Sequence, residues 1–86
     1  MVFELTRHAR LEMGRRQIPE DMVVAVLENP EQVVAEREGL VAYQSRVAFR
    51  PAGEMLVRAI VDEHARPPRV ITVYRTSKIE RYWRPS

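Results

Sequence analysis

The chain contains no cysteine, so neither disulfides nor thiolate metal sites contribute to its fold or chemistry. Its two histidines, His8 and His64, stand far apart and do not have metal-site spacing. There are only three glycines, and none belongs to a glycine-rich phosphate loop. No apolar run approaches the ~20 residues that a membrane helix requires, and the N-terminus lacks a signal-peptide pattern. A cytoplasmic location without membrane association is the expectation. Paired catalytic carboxylates and a Ser-His-Asp set are missing as well. Asp62, Glu63 and His64 are consecutive, which points their side chains in different directions and gives no metal cradle. Repeats and low-complexity tracts are absent. Nothing in the pattern calls for a cofactor.

What is present is one domain, 1–86, with 45% apolar residues and ordinary globular composition. A chain of this length buries roughly 60–65% of its unfolded surface, enough for one modest core. The net charge of +2 hides a polarised molecule. His64 to Ser86 holds five Arg and one Lys against one Glu, net +5. Gln17 to Glu63 holds nine acids against four Arg, net −5, and Met1 to Arg16 holds four Arg against two Glu, net +2. A clustered basic segment attracts phosphates.

Apolar spacing divides the chain near Pro30. Thr6 is placed to cap a helix running to about Arg16, with Leu5, Ala9 and Met13 on one side. Pro19, Glu20 and Asp21 suit the start of a second helix. Met22, Val23, Val26 and Leu27 form its stripe, and Asn29-Pro30 stops it. Beyond that point the spacing becomes two. Short strand Gln32 to Glu36 is followed by a Glu38-Gly39 turn. Leu40 to Arg50 alternates Val41, Tyr43, Val47 and Phe49 with Ala42, Gln44, Arg46, Ala48 and Arg50, as in a half-buried antiparallel strand. Strands Met55 to Asp62 and Arg69 to Arg75 follow. Ser77 to Trp83 reads equally as a helical turn or an edge extension. The expected fold is α+β: two N-terminal helices on an antiparallel sheet of about four strands. Its uncovered face would show Arg46, Arg50 and Arg58.

Two groups of residues could carry chemistry. His8 carries an imidazole, the side chain most often used as a general acid or base. Glu12, one turn on, could orient it; the plainer reading is a surface helix pair. In the C-terminal segment, Arg75, Lys78 and Arg81 offer positive charge, and Tyr74, Thr76, Ser77 and Tyr82 offer hydroxyls. Phosphodiester cleavage needs such groups to stabilise an anionic phosphorane and protonate a leaving oxygen. Tyr82 and Trp83 could stack on bases. The plainer reading is a solvated basic terminus with aromatic rings packed on the sheet.

The run His8-Ala9-Arg10-Leu11-Glu12-Met13-Gly14-Arg15-Arg16-Gln17-Ile18 resembles the opening of the small bacterial proteins grouped as domain-of-unknown-function family 4258. In that pattern a His-Ala pair is followed by Met, Arg and Ile, here Met13, Arg16 and Ile18. Leu27 to Glu31 fits the family's second helix end, and Thr72-Val73-Tyr74 with Lys78 and Arg81-Tyr82 fits its closing segment. The chain departs from the pattern at Glu12, usually basic, and at Gln17, often Gly. The family is similar in layout to the RelE-like toxins of bacterial toxin–antitoxin pairs, which are small, basic, metal-independent ribonucleases. The resemblance therefore implies RNA cleavage, on ribosome-bound messenger or otherwise, and a cognate antitoxin protein as partner. On this expectation His8, Lys78 and Tyr82 are the catalytic candidates, and Arg75, Thr76, Arg81, Arg46 and Arg58 the RNA-binding ones. The alternatives are a non-catalytic module that binds protein or nucleic acid, and an inactive toxin relative.

Overall fold

The computed structural model describes residues 2–85. The element order is β1 (Glu4–Leu5), α1 (Arg7–Arg15), α2 (Glu20–Glu28), β2 (Gln32–Ala35), a single 3-10 turn (Arg37–Gly39), β3 (Val41–Phe49), β4 (Gly53–Asp62), β5 (Arg69–Thr76) and α3 (Ile79–Tyr82). The five strands form one mixed sheet in the order β1-β5-β4-β3-β2.

Helix α1 begins where Thr6, in extended conformation, accepts a hydrogen bond from the Ala9 N–H at 3.0 Å through its side-chain oxygen. The same hydroxyl donates to the Ile71 carbonyl at 3.1 Å, tying the helix start to β5. The helix ends at Arg15 with Arg16 as its C-cap, and Gln17 just beyond takes a positive φ of 55°. That left-handed geometry favours glycine. Helix α2 is capped by Pro19 rather than starting on it, and Asn29 closes it.

Ala9, Met13, Ile18, Val23, Val26 and Leu27 of the helical region meet Val57, Ala59, Val61, Val70 and Val73 of β4 and β5 in one core. Val41, Tyr43, Val47 and Phe49 of β3 pack around it. Successive strand residues point to opposite faces, so the alternation in Leu40 to Arg50 separates a helix-covered face from a helix-free one.

Two expectations are corrected. The sheet has five strands, not about four, and is not purely antiparallel. β1 pairs in parallel with β5 through Glu4↔Arg69 and Leu5↔Val70. Met1 to Leu5 reads from sequence as a short extended lead-in, but two residues are too few to show alternation, so their pairing with β5 has no sequence signature. The second correction concerns the helix-free face. Arg46 and Arg50 are exposed there or at its rim, but Arg58 is only 2% exposed. Its cover is the C-terminal segment, in which Ile79–Tyr82 forms α3.

Candidate functional site

Strand register builds a row of polar side chains across the helix-free face. Gln32 pairs with Gln44, Gln44 with Arg58, and Arg58 with Tyr74. Each position is in the outward phase of its strand, so four side chains from β2, β3, β4 and β5 lie side by side.

Arg58 is the hub. Its Nε donates to Gln44 Oε1 at 2.7 Å, its Nη1 donates to the Tyr74 hydroxyl, and its Nη2 meets Glu36 Oε2 at 2.7 Å. Glu36, just beyond β2, also accepts the Arg37 N–H through Oε1 at 3.3 Å. Gln44, fully buried, donates to Gln32 Oε1 at 2.8 Å and to the Tyr82 carbonyl at 3.2 Å. Gln32 then clasps the Arg84 backbone in both directions, accepting from its N–H at 3.1 Å and donating to its carbonyl. No buried side-chain nitrogen or oxygen among the described residues lacks a partner. A charge so far from water is tolerable only when paired and fully hydrogen-bonded, and this row meets both conditions.

The C-terminal segment lies over the row. The Tyr82 ring stacks on the Arg58 guanidinium at 4.3 Å and meets Tyr74 edge-on with centroids 6.2 Å apart. Trp83 receives the Arg46 guanidinium at 4.2 Å. Arg46 is committed elsewhere too: its Nε and Nη2 grip Glu31 at 3.1 and 3.0 Å. That bidentate contact holds the Glu31 carboxyl below the usual carboxylate range.

Beside the row opens a cleft of about 300 Å³, lined by Glu36, Arg37, Glu38, Leu40, Ile60 and Tyr74. A carboxylate and a phenol thus share one wall, with Arg58 behind them bonded to both. Burial raises the Tyr74 phenol above its ordinary value, partly offset by the Arg58 hydrogen bond and charge. Tyr74 therefore keeps its proton at neutral pH. Its oxygen accepts from Arg58, and a hydrogen bond with the Tyr82 side chain adds to the upward shift.

The residues singled out from the sequence fall into two sets. Arg58, Tyr82 and Arg46 are brought together on the helix-free face. Arg81 joins them at the rim, exposed, with its guanidinium 5.7 Å from the Tyr82 ring. Lys78 is exposed just ahead of α3, its N–H donating to Thr76 Oγ1 at 3.0 Å. His8 does not join them. It is exposed on α1, whose Ala9 and Met13 pack on the opposite face, so the sheet stands between His8 and Tyr82. Nor does Glu12 orient His8. Glu12 is buried and accepts from Arg15 Nη1 at 2.9 Å and Arg16 Nε at 3.0 Å. Arg75 also leaves the set: it points to the helix-covered side, where its guanidinium lies 4.2 Å from the Phe49 ring centroid. Glu36 and Tyr74 are the cleft residues that sequence reasoning passed over as a pair. The outward phase of Gln44, Arg58 and Tyr74 was the available signal, but only register aligns them.

A family model described as "Domain of unknown function (DUF4258)" matches residues 5–75. Glu36, Arg58 and Tyr74 lie inside that span, while Lys78, Arg81 and Tyr82 lie beyond it. Comparisons with curated proteins and with solved structures found no match. With the model covering most of its length, the chain belongs to the DUF4258 family.

Proposed function

We propose that this protein is a toxin-like domain of RelE-like layout that cleaves single-stranded RNA, with Glu36 and Tyr74 as its acid–base pair. The observation that supports this reading is the position of Arg58. One buried guanidinium bonds a carboxylate and a phenol at once and fixes both on the wall of a cleft. A preorganised acid–base pair is what cleavage by an internal nucleophile needs.

In the step envisaged, Glu36 removes the proton from a ribose 2′-hydroxyl. The 2′-oxygen attacks the adjacent phosphorus and the bond from phosphorus to the 5′-oxygen breaks. Tyr74 gives its proton to that leaving oxygen. The products are a 2′,3′-cyclic phosphate and a 5′-hydroxyl end, and the Tyr74 phenolate regains a proton from the Glu36 carboxyl or solvent. Arg37, on the cleft lining, is the cation placed to touch the phosphate. Arg58 is a positioning residue, and Tyr82 holds it in place rather than donating a proton. Lys78 and Arg81 add charge at the rim for the flanking RNA. His8 has no part in the chemistry. A cognate antitoxin protein is the partner this reading implies.

One observation favours a second reading, a non-catalytic RNA-binding module. Glu36 and Glu38 both line the cleft, which weakens its own attraction for phosphate, and Arg58 already bonds three side chains. Induction of the wild type, Tyr74→Phe and Glu36→Gln in a bacterial host, with growth and RNA integrity followed, separates the two. Growth arrest with RNA cleavage that both variants lose supports the enzyme. RNA association without cleavage in any of the three supports the module.

A further inference from the structure

A second concave site lies on the helix-covered side, at the end of the sheet where the β3–β4 hairpin turns. The last turn of α1, the hairpin and the end of β5 meet there around a cleft of about 370 Å³. Its lining is Arg15, Arg16, Gln17, Ala52, Met55 and Arg75, with no carboxylate among them.

The three guanidiniums are held in different ways. Arg15 uses Nη1 and Arg16 uses Nε on the Glu12 carboxylate beneath them. Glu12 is 8% exposed, and the Arg16 hydrogen bond, helped by Arg15, keeps its carboxyl below the usual range despite burial. It stays ionised and anchors both side chains, which are 74% and 45% exposed and whose remaining N–H groups have no partner among the described residues. Arg75 has no carboxylate partner among the described residues. Its guanidinium rests on Phe49, and Nη1 makes only a soft contact with Met55 Sδ at 3.6 Å. Three positive charges against one carboxylate leave two unneutralised. A planar guanidinium matches the geometry of a phosphate, to which it can donate two parallel hydrogen bonds.

We propose that this cleft is a binding site for a backbone phosphate of single-stranded RNA, with Arg75 as its principal ligand and Arg15 and Arg16 completing it. Glu12 is a positioning residue there. The site deepens the RNA reading, on which it rests, by adding phosphate affinity to the weak attraction of the Glu36–Tyr74 cleft, where Glu36 and Glu38 oppose Arg37. It requires RNA binding but not cleavage.

The test uses a short fluorescein-labelled oligouridylate, methylated at every 2′-oxygen so that it cannot be cleaved. Fluorescence anisotropy is followed across a salt series for the wild type, Arg75→Gln, Arg75→Lys and Arg15→Gln. Arg66→Gln, in the exposed β4–β5 loop, is the control. Loss of one charge-assisted phosphate contact should weaken binding about tenfold or more at low salt. It should also flatten the log–log salt slope by about 0.7. Arg75→Lys should recover the slope but not the full affinity, and Arg66→Gln should match the wild type. Wild-type binding that Arg75→Gln leaves unchanged in affinity and slope overturns the cleft while leaving RNA binding intact. No binding by the wild type overturns both. Weakened binding by Arg75→Gln in a protein that never cleaves RNA upholds the cleft and removes only the catalytic reading.

Discussion

Replacing Arg58 with methionine tests the polar row most severely. Methionine fills much of the arginine stem but supplies no donor, so Glu36, Gln44 and Tyr74 each lose a partner at 2% exposure of the hub. Breaking one side of a buried ion pair costs about 3–5 kcal/mol; Glu36, 26% exposed, can rehydrate in part, but Gln44 and Tyr74 lose their donor as well. An 86-residue domain has a total stability of about 4–13 kcal/mol by the usual per-residue range. The substitution should therefore remove between about a quarter and all of it and lower the Tm by roughly 12–40 °C. Glu36→Met in the same chain removes the stranded carboxylate and should recover at least about 1 kcal/mol, a coupling typical of contacting residues. Urea unfolding followed by circular dichroism gives each free energy. If Arg58→Met lies within about 0.5 kcal/mol of the wild type, as exposed positions do, the row is not a buried network and the argument for a preorganised Glu36–Tyr74 pair fails.

Other consequences can be checked by unfolding experiments. Burial and the Glu63 hydrogen bond push the Tyr43 phenol up to about 12 from 10.0. Its contribution is therefore complete below pH 10.0 and lost as pH rises to about 12; Tyr43→Phe should flatten stability across that window. Glu12 is depressed by Arg16 and Arg15 from an ordinary value of 4.5. Its stabilisation is present above that value and fades as pH falls through the lower folded one, so the deficit of Glu12→Gln should shrink in acid melts. Thr6→Ala removes the α1 cap and its tie to Ile71 and should cost about 1–2 kcal/mol; no measurable loss would mean the helix start frays freely.

Much of the fold was legible because its signals are local. The Thr6 cap, the Ala9–Met13 and Val23–Leu27 stripes, and the strict alternation from Val41 to Phe49 each follow from spacing within one element. What was not legible depends on partners distant in sequence. The parallel pairing of Glu4–Leu5 with Arg69–Val70 needs the chain's two ends brought together. Arg58 was assigned to the correct face, but its burial depends on the C-terminal segment folding back across the sheet. The link from Glu36 through Arg58 to Tyr74 depends on register over three strands and a turn. Glu12 illustrates the limit of helical spacing: His8 and Arg16 are each four residues away, and the arginine takes it. His8 and Tyr82 shared a family pattern and a plausible chemistry, yet the sheet divides them.

The most direct measurement of the central claim is single-turnover cleavage of an unmodified single-stranded RNA by the purified protein, with the new ends identified by mass spectrometry. The wild type should yield 2′,3′-cyclic phosphate and 5′-hydroxyl ends, Tyr74→Phe and Glu36→Gln should each slow the reaction about 10²–10⁴-fold, and His8→Ala should leave it unchanged. A wild type that cleaves at the same rate with Tyr74→Phe and Glu36→Gln, or one that depends on His8, contradicts the account.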